Sequence, residues 1–336
     1  MRALAAGLTD VGLQRDHNED SFAIAPEFNL YIVADGMGGH RAGDVASKMA
    51  TESITEFFRS TSQEDATWPF HFDTSLSEEE NRLVAGIRLA NRQIFDKGIR
   101  SREHSGMGTT VVGALYSKRK RRLYVGHVGD SRAYRVRGET IVQLTRDHSL
   151  LNDYLAAMPD LSEEQQAEVP RNVITRALGM QDTVSVDLVA DDPQPGDAYL
   201  LCSDGLSGML ADQDILEIMS ATRDPKEICN KLVEEANDQG GEDNITALVV
   251  LFDPAEEDEV GASSGAAPAT KPAGSRAPVD GQSPTPAGGS ARAPGRVSAD
   301  SPALAASNAA SNVAADGAAA SSSSRESGAA SDDESS

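Results

Sequence analysis

Four aspartates stand where short apolar runs begin or end. Asp35 closes the run in Leu-Tyr-Ile-Val-Ala-Asp-Gly-Met-Gly-Gly-His, Asp130 follows Leu123–Val128 in Gly-Asp-Ser-Arg, Asp204 follows Ala198–Cys202 in Ser-Asp-Gly, and Asp243 precedes Asn244–Phe252. Any one of these is an ordinary turn signal. Together they predict something else, because strands of opposite sense place exits and entrances on one rim of a sheet pair. Carboxylates that crowd one place cannot all stay ionised unaided, and divalent cations are the natural compensation. An all-oxygen donor set selects Mg²⁺ or Mn²⁺ over zinc, and none of the six histidines has an HxxxH or HExxH spacing. The chemistry open to such a group is activation of water and neutralisation of charge on phosphoryl oxygens.

The elements that must position these acids follow from periodicity. Residues 3–9 and Ser21–Ala25 read as strands, with the dense polar hexad Arg15-Asp16-His17-Asn18-Glu19-Asp20 between them. Leu30–Ala34 reads as a buried strand ending at Asp35, followed by a glycine-rich turn. Apolar spacing at Ala46, Met49, Ala50, Ile54, Phe57 and Phe58 predicts a helix over Gly43–Arg59, and Leu83, Ile87, Ala90 and Ile94 predict a second. The aromatics of Trp68-Pro69-Phe70-His71-Phe72 read as packing that anchors the intervening loop. From Thr109 to Thr145 four strand-like runs predict an antiparallel meander, with Lys118–Arg122 at a solvated hairpin tip. Short helices are expected around Leu150–Met158 and Glu163–Ala167, inside a 146–183 insertion placed to act as a flap. Strands at Ser185–Ala190 and Ala198–Cys202 precede helices at Asp212–Ser220, capped by Asp212, and Pro225–Asn237, capped by Asp224. Asn244–Phe252 is the last strand.

Composition bounds the rest. The chain has 336 residues and a formal net charge of −23. Residues 254–336 are Ala, Ser, Gly and Pro with almost no large apolar side chain, and cannot bury enough surface to offset chain entropy. The division expected is therefore an ordered domain over 1–253 and a disordered acidic tail over 254–336. The tail carries 11 acidic and 5 basic residues, so −23 less −6 leaves −17 for the ordered part. That charge repels nucleic acid and anionic membranes, and a phosphate-bearing ligand needs local cations. Cys202 and Cys229 form no disulfide framework or metal-ligand spacing. The lack of a membrane-length apolar run or signal-peptide core makes the cytoplasm the expected compartment.

Arg15 through Asp20, Asp35-Gly36-Met37-Gly38-Gly39, Ser105–Thr110, Gly129–Arg132, Ser203-Asp204-Gly205 and Glu242-Asp243-Asn244 stand in the order that resembles the PPM, or protein phosphatase 2C, family of bacterial type. The resemblance covers residues 3–253. It implies an α+β fold, a four-layer αββα sandwich of two antiparallel sheets flanked by helices, with a two-metal centre at one edge. It further implies that Asp35 bridges both metals, that the Gly36 carbonyl binds one, and that Asp204 and Asp243 ligate the other. Glu19 and Asp20 match acids holding metal-bound waters, Arg15 matches the phosphate-binding arginine, and Asp130 with Asp204 matches a third-metal site of bacterial relatives. Met37 stands where eukaryotic relatives carry a general-acid histidine, and neither His17 nor His40 is assigned that role.

The activity so implied is Mn²⁺- or Mg²⁺-dependent hydrolysis of phosphoserine and phosphothreonine in proteins by a water bridging two ions, with a third ion at Asp130. The expected partners are phosphoproteins, among them a serine/threonine kinase that the enzyme opposes, and the expected state is a monomer. Two competing readings are a non-catalytic phosphoprotein-binding module, disfavoured because all the acids are retained, and a phosphatase of small metabolites.

Overall fold

In the computed structural model the strand Ile245–Asp253 is buried along eight of its nine residues, although an antiparallel strand commonly leaves one face in water. Parity explains it. Ile245, Ala247, Val249 and Leu251 pack with helical side chains, whereas Leu248, Val250 and Phe252 pack with residues of a second sheet. Both faces are covered, so the run reads as continuously apolar. The structure describes residues 1–38, 42–62, 70, 72–170 and 173–254; residues 255–336 of the expected tail, with His40, Trp68, Pro69 and His71, lie outside the described residues.

In chain order the elements are β1 (Arg2–Asp10), β2 (Asp20–Ala25), β3 (Leu30–Met37), α1 (Ala42–Ser60), α2 (Glu78–Arg100), β4 (Gly108–Thr109), β5 (Val111–Ser117), β6 (Arg122–Val128), β7 (Arg132–Arg137) and β8 (Thr140–Gln143). Then come α3 (Leu150–Ala157), α4 (Glu163–Glu168), β9 (Asp187–Asp191), β10 (Ala198–Cys202), α5 (Asp204–Ser207), α6 (Asp212–Ala221), α7 (Pro225–Asp238) and β11 (Ile245–Asp253). One sheet has the order β1-β11-β10-β7-β8 and the other β2-β3-β5-β6-β9, with β4 paired to β3. Three apolar layers hold them: α1 and α2 on the second sheet, α6 and α7 on the first, and a layer between the sheets. This is the four-layer α+β sandwich expected.

The helix starts follow local chemistry. Ser77 and Glu80 form a reciprocal capping box on α2, and the Asp224 side chain accepts the Lys226 amide at 2.9 Å ahead of Pro225 on α7.

Three expectations change. The meander is two hairpins in different sheets, β5–β6 in one and β7–β8 in the other, because the chain crosses between layers at Gly129–Ser131. Residue patterning shows strands but not which sheet they join. Asp212 is the first helical residue of α6, and Ala211 occupies the cap position, its amide donating to Asp214 at 3.1 Å. β3 does not turn at Asp35 but runs to Met37, because Gly36 and Met37 pair with β4.

Parity also decides where the acids go. Tyr31 and Val33 point into the layer between the sheets, Leu30, Ile32 and Ala34 toward the helices, so Asp35 continues the intersheet side to its rim. Each fully buried Leu, Ile or Phe contributes roughly 1.5–3 kcal/mol, which locks this register; a slip of one residue would turn Asp35 to the helix face.

Candidate metal centre

Asp20 sits directly opposite Asp35 across the β2–β3 pair. Ser203 and Thr246, at the same rim of the other sheet, donate to Asp20 Oδ2 at 2.7 and 2.6 Å. Asp20 Oδ1 is buried without a partner. Burial pushes the Asp20 carboxyl up to about 7, helped by the Asp204 and Asp243 charges against those two hydroxyl donors. Burial, followed by the charges of Asp20 and Asp204, holds the Asp35 carboxyl well above the usual range. Burial likewise raises Asp204, the first residue of α5.

The backbone around Asp35 is clamped. Its amide donates to Thr110 Oγ1 at 3.2 Å, and its carbonyl accepts from the Thr110 amide at 2.8 Å and from Thr109 Oγ1 at 2.7 Å. Gly36 has no room for a side chain, since a Cβ there would lie 2.2 Å from the Gly43 carbonyl oxygen. The start of α1 therefore packs straight onto the strand end.

Asp130 follows β6 at the crossover and is 8% exposed, with Oδ1 buried and unpartnered. Burial, then the Asp204 charge, pushes it up to about 7. Burial raises Glu19 too, reinforced by Asp44. Asp243 Oδ2 accepts from Arg15 Nη2 at 2.6 Å, in the exposed part of the site. Arg15, Asp130, Asp204 and Asp243 line a cleft of about 590 Å³, with Arg132 and Asp147 among its other walls. Asp35 and Asp20 are not among the residues lining it and meet it through Asp204. All the acids singled out in the sequence are therefore brought to one rim.

Two residues were missed. Asp44 adds a buried, unpartnered Oδ1 beside Glu19; an acid in the first turn of a helix reads as dipole complementarity and gave no separate signal. Asn244 organises the polar hexad: its Oδ1 accepts the Glu19 amide at 2.7 Å, and its Nδ2 donates to the carbonyls of Val11 and His17, both at 2.9 Å. Its place after Asp243 marked it, but a residue bonding to backbone leaves no pattern in side-chain types.

The donor set fits hard divalent cations. Buried carboxylate oxygens on Asp20, Asp44 and Asp130 lack partners, burial and then neighbouring charge hold Asp20, Asp35 and Asp130 above their usual protonation range, and the converging donors are oxygens. Cys202 and Cys229 are free and buried in the helix-side core. Met37 lies in the β3–β4 pair, and His17 is exposed in the hexad.

A family model described as protein phosphatase 2C matches residues 14–244. The serine/threonine phosphatase stp of Listeria welshimeri is 38% identical over 246 residues, 72% of this chain and 93% of that relative. The crystal structure of the Mycobacterium tuberculosis serine/threonine phosphatase PstP/Ppp superposes with a TM-score of 0.64 at 32% identity, covering 75% of this chain and 99% of that one. A catalytic domain of PstP in complex with two manganese ions superposes with a TM-score of 0.63 at 31% identity, covering 75% and 99%.

Proposed function

Because this chain belongs to the protein phosphatase 2C family of metal-dependent serine/threonine phosphatases, we propose that its rim of aspartates holds divalent ions and hydrolyses phosphoserine and phosphothreonine in proteins. The observation that carries the reading is the convergence of Asp35, Asp204, Asp20 and Asp130, with orphaned oxygens, beneath a cleft flanked by Arg15. Asp35, Asp204 and Asp243, with the Gly36 carbonyl, would hold two Mn²⁺ or Mg²⁺ ions, Asp130 with Asp204 a third, and Glu19 and Asp20 the waters around them. Bound divalent ions supply an acidified water and offset phosphoryl charge.

The chain's own residues do the rest. Arg15 presents guanidinium donors to the phosphoryl oxygens at the cleft mouth, held there by Asp243. Ser203 and Thr246 fix one oxygen of Asp20, which leaves the other free to act. Thr109 and Thr110 hold the Asp35 backbone in place. Met37, after Gly36, has no proton to give the leaving alkoxide. The test is turnover of a phosphothreonine peptide with and without Mn²⁺, against a panel of small phosphorylated metabolites. Peptide turnover that needs metal and exceeds metabolite turnover supports the reading; metal-independent or metabolite-selective turnover overturns it.

Replacing Arg15 with alanine removes a charge-assisted contact worth about 1.5–3 kcal/mol. The expected loss in kcat/KM is roughly 10–100-fold, carried mainly by KM, with Mn²⁺ binding retained. Steady-state kinetics on the same peptide checks it, and an unchanged KM would remove Arg15 from phosphate binding.

The domain is read as ending at Asp253, the last residue of β11, where Arg223 pairs with its carboxylate at 2.8 Å. Truncation after Pro254 should leave metal-dependent kcat within about twofold, since every described strand pair lies within residues 2–253; a collapse would make the tail part of the catalytic unit. Among the described residues no helix is long and apolar enough to cross a membrane. A cytoplasmic monomer that opposes a serine/threonine kinase completes the proposal.

A further inference from the structure

Behind Asp130 lies a group the reaction does not use: the buried His127 on β6 and His148, with the part-exposed Asp187, opposite His127 on β9, and Arg176. His127 and His148 are 1% and 5% exposed, and their rings stack at 4.8 Å. Ligand atoms of His127, His148 and Asp187 fall within 4.8 Å of one another, close enough for a cation. The hydrogen bonding points elsewhere. The Gly129 amide donates to His148 Nδ1 at 3.1 Å, which places the neutral ring's proton on Nε2, 3.3 Å from Asp187 Oδ2. A metal on Nε2 would require the proton on Nδ1, against that amide. Arg176 already supplies the positive charge, with Nη1 2.7 Å from Asp187 Oδ1 and 3.1 Å from His148 Nε2.

What the group does hold is the turn carrying Asp130. The His148 amide donates back to the Gly129 carbonyl at 2.9 Å, so ring and backbone grip the same residue from both sides. Gly129 has φ +106° and a Cβ there would lie 2.6 Å from Thr110, so the turn's shape depends on outside support. The His148 carbonyl accepts the Thr175 amide at 2.8 Å, and Leu150 donates to Val173 at 2.9 Å, which ties both ends of the α3–α4 segment to the same point.

We propose that His148 is a positioning residue for Asp130: it clamps the Gly129–Asp130 turn to the base of the α3–α4 segment and so sets the affinity of the ion that Asp130 would hold. The proposal rests on the reading of Asp130 as a ligand. Supporting groups of this kind tune metal affinity by about 10–100-fold.

Two substitutions separate the ring's nitrogens. His148→Asn keeps an acceptor where Nδ1 meets Gly129, and His148→Gln moves the amide to the Nε2 position and leaves Gly129 without an acceptor. Mn²⁺ binding to the full chain, read from free Mn²⁺ by electron paramagnetic resonance, is expected to show three ions on the wild type and on H148N. In H148Q the weakest ion should bind about 10–100-fold more weakly while the other two are unchanged. Equal binding by H148N and H148Q, with D130N still losing the third ion, overturns the proposal alone. Two ions on the wild type, or no loss in D130N, overturns the reading of Asp130 and the proposal with it. Thermal unfolding of both metal-free variants must remain cooperative, and if H148Q fails to fold, weakened third-ion binding by H148N overturns the proposal and wild-type binding by it supports the proposal.

Discussion

Asp35→Asn is expected to lower turnover of a phosphothreonine peptide by about 10³-fold or more, about 4 kcal/mol of barrier, while raising the melting temperature of the metal-free protein. The two effects share a cause. Asp35 stands at the rim of the intersheet layer with Asp20 across the strand pair and the Asp204 charge close by, and burial with those charges disfavours its ionised form. Asparagine keeps the shape, removes the charge, and can donate to Asp204. It thereby relieves repulsion in the metal-free fold and removes the negative oxygen that divalent ions require. A gain of about 1 kcal/mol would raise the melting temperature by roughly 2–4 °C in a domain of this size. Kinetics at saturating Mn²⁺ and calorimetry in chelator check the pair. Retained turnover would end the assignment of Asp35, and a lowered metal-free melting temperature would mean that the site's charges are not in conflict.

The second large effect is on stability against pH. Asp20 and Asp130 are each pushed up to about 7 from an ordinary 3.8, chiefly by burial. A carboxyl whose folded pKa lies above its unfolded value binds more protons in the folded state, so stability falls as pH rises between the two. The metal-free protein should therefore be most stable near pH 4–5 and lose stability up to about pH 7. Each group titrating alone would account for roughly 4 kcal/mol, and less where neighbours share a proton. Divalent ions take the place of those protons. Added Mn²⁺ should raise the melting temperature far more at pH 7.5 than at pH 5, where protons compete. Calorimetry with and without chelator across this range decides it; metal-free stability that is flat or rising from pH 4.5 to 7 would contradict the cost of burying these carboxylates in charged form.

Much of this was open to a reader of residues. The strands around Asp35, Asp204 and Asp243 announced themselves because both their faces are buried, which writes continuous apolar runs into the chain. Helices α1 and α2 were marked by apolar period and α7 by its Asp224 cap and Pro225: local patterning records what a segment buries and how it starts. Asp44 was hidden because an acid at a helix start has an ordinary explanation. The β6–β7 crossover was hidden because a turn between two strands reads alike whether they pair or part.

The amino-acid sequence by itself determined most of the carboxylates, their place beside strand ends, and an oxygen donor set that favours hard ions over zinc. Only the tertiary structure decided that Asp20 and Asp35 lie opposite each other, that Asp130 is delivered by a change of sheet, and that Asn244 and His148 hold the loops which carry the acids. The physical reason is one of range. Burial and periodicity act within a segment and leave their trace in consecutive residues, whereas register, layer crossing and side-chain bonds to distant backbone are settled between segments and are written in no one of them.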